Sequence, residues 1–576
     1  MSTVGLEVAH VGGEWRPTPP AALAIGDVAQ PTGLKGEPPR ESPFLNLSGE
    51  MILGILRQPE IDAQQLLRCS QVSRLLNLLS IQALLDQHSI WQPMSVCNVK
   101  FLSFAPRPPD ILSALLYSVH FTKLGYVSFD FGKLPSYANL RIPLLRIERL
   151  LNRVESVDDV HFNFLPSSSP APQENNRSQE KDLKRVCQAF ESVFNTLLSK
   201  SCAKIQFTNL HTCEFGLAYK FRREAKDPTA QNSILRRFKG GIMRSGKEDQ
   251  STTKPALMEE DLHYFNPARR SSRGRVAHIL PSPSALLQAS KLTRFEAAST
   301  NLFQPPFSAW AFSALQASKI EHFAVGFRDL TQDEDEKDYI LARIAASLSE
   351  VIILTIFSVP ESHAHRILTW INAFPKVGTL SLPLNFPTEL SPEKIDLHLP
   401  ELWRLELAPE LLNVLFSKDS RIDLPKLNSV AITHHGLNVP LLAETIPKAR
   451  ELITSRTPEG SDCLLFVALR LNNYHLMTIS QALREGKRPK TKEVDLSSGF
   501  EGVSPLELSL PGTREDVKVG IYDNDIMALL TLFPDVASLI LCSTEWYLKR
   551  AALPLDREQL KKFRQRCPKL YSLVVY

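Results

Sequence analysis

Apolar residues recur along the C-terminal two-thirds of the chain in one phrase: proline, any residue, apolar, two residues, apolar, one residue, apolar. It reads Pro375-Lys376-Val377 with Leu380 and Leu382, then Pro400-Glu401-Leu402 with Leu405 and Leu407, then Pro425-Lys426-Leu427 with Val430 and Ile432. It returns as Pro534-Asp535-Val536 with Leu539 and Leu541, and as Pro568-Lys569-Leu570 with Leu573 and Val575. The first three prolines are 25 residues apart, a period that belongs to repeat architectures and therefore to extended binding surfaces. The same spacing without proline fits Leu124, Val127 and Phe129; Val157, Val160 and Phe162; and Cys202, Ile205 and Phe207. It continues at Leu292-Phe295-Ala297, Ile320-Phe323-Val325 and Val351-Leu354-Ile356.

Between these strands the spacing becomes helical, as in Tyr339, Ile340, Ile344 and Leu348, in Ile367, Leu368, Ile371 and Phe374, and in Ile526, Leu529, Leu530 and Phe533. Leu560 with Phe563 is a shorter case. Each unit thus reads as helix, turn, short strand. Proline marks the switch because it lacks a backbone donor and disfavours helix in its predecessor. Leu464 to Leu471 and Val494-Leu496 are strand candidates within 433–533, where the number of repeats stays open. The expected class is α/β, a solenoid of short parallel strands alternating with helices over residues 92–576.

The N-terminal part has a different pattern. Residues 1–43 mix Gly, Pro, Ala and Thr without periodicity and are expected to be a disordered tail. In 44–91, Leu47, Met51, Ile52, Ile55 and Leu56 follow a helical period behind the candidate N-cap Ser48, and Pro59 ends that helix. Asp62 and Gln65 form a candidate capping box for a second helix carrying Leu66, Leu67, Cys69, Val72, Leu75, Leu76 and Leu79. A third, short helix begins at Ile81 to Leu85, and Trp91 closes the segment. Three helices in so few residues make a thin core, and this density of leucine leaves an apolar face in want of a partner.

Composition narrows the chemistry. With 66 basic and 62 acidic residues the net charge is +4, too balanced to predict nucleic-acid binding by the chain as a whole. The eight cysteines are scattered, with no C-x-x-C pair, which reads as reduced thiols in a cytoplasmic or nuclear protein. No apolar run approaches the roughly 20 residues of a membrane span, and the N-terminus lacks the layout of a signal peptide. Catalytic signatures (G-x-S-x-G, G-x-x-x-x-G-K, H-E-x-x-H) do not occur, so neither an enzyme nor a cofactor is expected. His363 with His365, and His434 with His435, come without further ligands that would complete a metal site.

The most charged local feature is an insertion at about 216–288, expected to be disordered. From Lys220 to Arg275 it holds fourteen Lys/Arg against seven Asp/Glu. Its plain reading is a solvated loop between repeats. Such a loop can also bind acidic protein segments, RNA or an import receptor, and Ser271 or Ser272 could be phosphorylated. The acidic run Asp333 to Glu336 is accounted for by the positive end of the helix that follows it.

Leu47, Glu50, Ile55-Leu56, Leu66-Leu67, Val72-Ser73-Arg74 and Ile90-Trp91 together resemble an F-box, with Ser48 standing where the family carries proline. The downstream units are similar to the degenerate leucine-rich repeats that often follow one. This resemblance implies docking to the Skp-type adaptor of cullin–RING ubiquitin ligases, through Leu47, Ile52, Ile55, Leu56, Leu66, Leu67, Val72 and Trp91. The repeats would then hold an unknown target protein, with Lys376, Glu401, Arg404, Glu406, Lys426 and Asn428 as candidate contacts beside the strands. The competing expectation is a protein-binding scaffold unrelated to ubiquitin, whose N-terminal helices merely cap the first repeat.

Overall fold

The computed structural model describes residues 47–101, 110–132, 140–164, 177–210, 219–222, 263–265, 276–382, 385–435, 438–456, 464–471, 500, 503–510, 522–543 and 557–575. The expected tail, 1–43, the strand candidate Val494-Leu496 and most of the basic insertion lie outside them. The chain divides into two units, Met1–Gly54 and Ile55–Tyr576.

Helix α1 (Gly49–Leu56) begins in the first unit and ends in the second. Ser48 opens it, its carbonyl accepting from Ile52 N–H at 3.0 Å and its Oγ from Met51 N–H at 3.3 Å. The capping box expected before α2 (Ala63–Cys69) is formed: Gln65 N–H donates to Asp62 Oδ1 at 2.7 Å, and Asp62 N–H to Gln65 Oε1 at 2.8 Å. The next boundary differs from the sequence expectation. Helix α2 stops at Cys69, and α3 runs unbroken from Arg74 to Gln87. The cause is Ser73, whose Oγ takes the Leu76 N–H at 3.2 Å and starts a new helix within the leucine run.

Thereafter strands and helices alternate: β1 (Val96–Lys100), α4 (Ile111–Tyr117), β2 (Lys123–Asp130), α5 (Arg141–Arg153), β3 (Ser156–Asn163), α6 (Arg177–Ser199) and β4 (Lys204–Thr208). Next come the short β5 (Lys220–Phe221) and β6 (Tyr264–Phe265), then α7 (Pro283–Gln288), β7 (Arg294–Ala297), α8 (Ser308–Ala317), β8 (His322–Val325), α9 (Glu334–Ser347) and β9 (Ile353–Ile356). The series continues with α10 (Ala364–Ile371), β10 (Thr379–Ser381), β11 (Asp396–His398), β12 (Arg404–Leu407), α11 (Pro409–Leu415), β13 (Arg421–Asp423), β14 (Ser429–His435) and α12 (Val439–Arg456). It ends with β15 (Leu464–Arg470), β16 (Leu506–Leu510), α13 (Asp523–Leu530), β17 (Ser538–Ser543), α14 (Arg557–Arg564) and β18 (Ser572–Val575). Strands β1, β5, β6, β11, β13 and β16 have no counterpart in the sequence expectation.

Fourteen of these strands form one sheet in chain order, β1-β2-β3-β4-β7-β8-β9-β10-β12-β14-β15-β16-β17-β18. Every neighbouring pair in it is parallel. The protein is α/β, and this long parallel sheet is open.

The recurring phrase has a backbone explanation. In all five proline-marked units the residue before proline accepts a hydrogen bond from the residue after the next: Val377 N–H to Phe374 O, Leu402 to Leu399, Leu427 to Leu424, Val536 to Phe533 and Leu570 to Cys567. Proline therefore sits at the second position of a β-turn, where its fixed φ is favourable. One carbonyl then receives two consecutive N–H groups of the following unit. Ile352 O takes Gly378 and Thr379, Gly378 O takes Trp403 and Arg404, and Trp403 O takes Asn428 and Ser429. This repeated contact sets the register in which Leu354, Leu380, Leu405, Val430 and Leu465 fall side by side, all buried.

Those inward residues pack under the helices. From β2 to β8 the inward row is aromatic, with Phe129, Phe162, Phe207, Phe295 and Phe323 following one another at centroid separations of 5.4 to 6.4 Å. Phe194 of α6 and Trp310 of α8 close over it. From β9 onward the same row is aliphatic. Consecutive helices also pack on each other, α3 on α4, α4 on α5, α5 on α6 and α8 on α9.

Candidate functional site

Two surfaces of the Ile55–Tyr576 unit present side chains that its own core does not use. The first is on the helices that precede the sheet. Of the apolar residues expected there as contacts, Leu56 and Leu66 are interior, while Ile55, Val72 and Trp91 are exposed, Val72 at 73% and Trp91 at 68%. Leu67 is half-buried. In the Met1–Gly54 unit Ile52 is interior, Leu47 half-buried and Met51 exposed. Leu56 and Leu66 thus point into the core of their own unit. Leu75 and Leu78, three residues apart and so on one face of α3, are exposed and belong with Val72 instead.

The helical segment is fixed to the first parallel unit by a buried asparagine. Asn77, 5% exposed, donates from Nδ2 to Ser70 O and to Tyr117 O, both at 2.9 Å, and its Oδ1 accepts from Val119 N–H at 3.0 Å. It satisfies three backbone groups with one side chain, between the start of α3 and the turn after α4.

The second surface is the outward face of the sheet. Parallel sheets are usually covered on both faces and read as continuous apolar runs. In β12 burial alternates instead: Leu405 and Leu407 are interior, whereas Arg404 and Glu406 are half-exposed; in β14 the run from Ser429 to Thr433 is buried throughout. Ile353, Thr379, Arg404, Ser429 and Leu464 form one row across β9 to β15, and Thr355, Ser381, Glu406, Ala431 and Phe466 the next. Ile353, Leu464 and the adjoining Trp403 remain 37 to 48% exposed. Trp403 lies over Gly378, where an added Cβ would come within 2.8 Å of the indole Nε1, so glycine makes room for the ring. The Arg404 guanidinium stands 5.3 Å from the Phe466 ring centroid, and Glu406 Oε1 accepts from Thr433 Oγ1 at 3.2 Å.

The six residues expected as target contacts therefore separate. Arg404 and Glu406 are on the outward face. Lys376, Glu401 and Lys426 occupy the third position of the proline turns and pair with neighbouring turns, Lys376 with Glu350 at 2.7 Å and Lys426 with Glu401 at 2.6 Å. Exposed as they are, such pairs stabilise by about 0–1 kcal/mol at most. Asn428 is exposed before β14. Trp403, Ile353, Leu464 and Phe466 lie at or beside this face and were not among the expected contacts. A tryptophan at a position where the recurring phrase has no apolar requirement was the available signal.

Towards β2 to β7 the outward face is polar. His161 Nε2 lies 2.7 Å from Thr208 Oγ1, and its Nδ1 lies 3.2 Å from Tyr126 Oη and 3.1 Å from Ser128 Oγ. Thr208 Oγ1 and Asn209 Nδ2 both donate to Asn163 Oδ1, at 3.0 and 2.7 Å. With its proton given to Asn163, Thr208 accepts from His161 Nε2–H, which leaves Nδ1 as acceptor for Tyr126 or Ser128. Burial, reinforced by the nearby Lys204 ammonium, pulls the imidazole pKa down to about 4. Lys204 itself pairs with Glu296 at 2.5 Å. This network joins residues of β2, β3 and β4 to one another.

Among the described residues no group of three or more His, Cys, Asp or Glu side chains could hold a metal ion, and no helix is long and apolar enough to cross a membrane. His363 is buried and its Nδ1 is 3.3 Å from Lys337 Nζ, while His434 pairs with Glu410 at 3.6 Å. No protein-family model matches this chain, and no curated protein matches it.

Proposed function

We propose that this protein is a non-catalytic substrate receptor of a cullin–RING ubiquitin ligase. An F-box formed by α1–α3 would dock the Skp-type adaptor, and a leucine-rich-repeat-like solenoid, β1 to β18, would hold the target protein. Ubiquitin transfer would take place on other subunits, and this chain would supply proximity and orientation.

The observation that carries the reading is the exposure of Val72, Leu75 and Leu78 around a helix whose other side is fully packed. A monomer gains nothing from leaving such residues in water, whereas an adaptor groove would bury them at about 1.5–3 kcal/mol each. The half-open parallel sheet supports the second half of the reading. Its rows combine an aromatic anchor, Trp403, with Arg404 and aliphatic neighbours, the residue types that dominate interface energetics.

A second reading has its own support. Asn77 and the packing of α3 on α4 are what a helical cap over the first repeat requires. In that case the protein is a binding scaffold outside ubiquitin chemistry.

Retention of purified full-length protein on immobilised Skp-type adaptor separates the two. Wild type is expected to bind, and Val72→Asp/Leu75→Asp to lose at least tenfold in affinity with an unchanged circular dichroism spectrum. Both positions are exposed, so the variant keeps its core. Absence of wild-type binding would refute the receptor and leave the scaffold.

A further inference from the structure

Helices α9 and α10 belong to consecutive units and meet through polar side chains. Trp370 Nε1 of α10 donates to Leu341 O of α9 at 2.8 Å, a buried bond. Arg366 of α10 pairs with Glu334 and lies 3.7 Å from Asp338, both on α9. Lys337 of α9 reaches the other way. Its Nζ stands 2.6 Å from Glu334 Oε1 and 3.3 Å from Nδ1 of His363, the residue that opens α10.

Lys337 is 1% exposed and His363 4%, so neither side chain has water to turn to. An ammonium has three donors and no lone pair, so in this contact Nδ1 is the acceptor and the ring is neutral, with its proton on Nε2. The ionised groups then balance, Lys337 and Arg366 against Glu334 and Asp338. A proton on Nδ1 would remove the acceptor and set a buried imidazolium 3.3 Å from a buried ammonium, with one positive charge in excess. Nε2 is buried without an acceptor among the described residues, so a charged ring gains no hydrogen bond on that side.

The surroundings weigh the same way. Burial first, then the Lys337 ammonium, holds the imidazole below its usual range, against the opposing pull of the Ser362 backbone and the Glu334 carboxylate. Arg366 and the positive end of α10 also disfavour a cation there. His365, two residues on, is engaged separately, its Nε2 accepting from Ser391 N–H at 3.3 Å.

We propose that this contact is an acid-released latch: neutral His363 holds α10 to α9 through Lys337, and uptake of a proton by the ring parts the two helices. Strand β9, with the exposed Ile353, is the strand between them, so the latch bears on the outward face of the sheet as well. A free imidazole titrates near pH 6.5. The latch is therefore complete above that value and is lost as pH falls from there towards the ring's lower folded value. A ring that stays neutral when closed and titrates freely when open favours opening by at most about 30-fold at pH 5 relative to pH 8.

Hydrogen–deuterium exchange of the full-length protein between pH 8 and 5, corrected for intrinsic rates, tests this at residues 361–371. In wild type, protection there is expected to fall at least fivefold across the range. His363→Gln can accept from Lys337 at every pH and never charges, so it should hold protection within twofold. Lys337→Met leaves the ring without a neighbouring ammonium and should cut the fall at least twofold, which keeps the test decisive if His363→Gln does not fold. A flat profile in wild type would overturn the proposal. So would the full wild-type fall in either folded variant, which would assign the response to His365 or to acid weakening elsewhere.

Discussion

Replacing Asn77 with alanine removes a side chain that serves three backbone groups at once. Ser70 O and Tyr117 O each lose a donor at 2.9 Å, and Val119 N–H loses an acceptor at 3.0 Å. Leaving a buried polar group unsatisfied costs about 1–3 kcal/mol. Tyr117 and Val119 carry exposed side chains, so water can reach part of that site and the three terms will not add in full. A net local cost of about 2–4 kcal/mol is expected, concentrated where α3 meets the turn after α4. At 1.36 kcal/mol per decade this corresponds to roughly 30- to 900-fold faster exchange of the Val119 amide. Native-state hydrogen exchange is the suitable assay, because a chain of this length need not unfold in two states. Asn77→Asp is the sharper variant, since it sets an anion against two carbonyl oxygens and should open the junction further than alanine does. Unchanged Val119 exchange in Asn77→Ala, or Asp behaving like wild type, would refute the role given to this residue.

Two further outcomes follow from burial. His161 has its pKa pulled down from 6.5 to about 4 in the folded protein. The unfolded chain therefore takes up the proton first, and stability falls as pH drops from about 6.5 to about 4, by on the order of 3 kcal/mol before levelling off. His161→Gln should flatten that part of the pH–stability curve, and an unaltered acid limb would contradict the assignment. Cys97 and Cys187 are interior, with thiols pushed up to about 12 by burial, and Cys69 is half-buried. Mass-resolved alkylation at pH 8 should modify Cys69 at least tenfold faster than either, the difference vanishing in denaturant.

Much of the fold was legible because a strand of a half-open sheet must repeat its apolar positions. Leu380, Leu405 and Val430 could be aligned from spacing alone, and they do fall side by side. The proline turns were legible for the same reason, since proline at the second turn position is a local preference. What failed were the short or atypical elements. Strands β1 and β16, in contrast, do carry the phrase without its proline, as Met94, Cys97 and Val99 and as Val503, Leu506 and Leu508, so both were legible and were passed over. The break between α2 and α3 depended on one capping serine inside a leucine run, which periodicity does not register.

The candidate surfaces divide in the same manner. The sequence by itself determined that residues 44–91 carry more leucine than a small core consumes, and that Arg404 and Glu406 alternate with core positions. Both are consequences of period, and period is local. Only the tertiary structure decided that Leu66 and Leu56 face inward while Leu75 and Leu78 face out, that Lys376 and Lys426 are spent on neighbouring turns, and that Trp403 lies bare over Gly378. It also brought Tyr264 to Glu336 across 72 residues of sequence. Which side of a helix becomes interior, and which charge meets which, depends on neighbours that lie a repeat or more away along the chain, and no local pattern contains them.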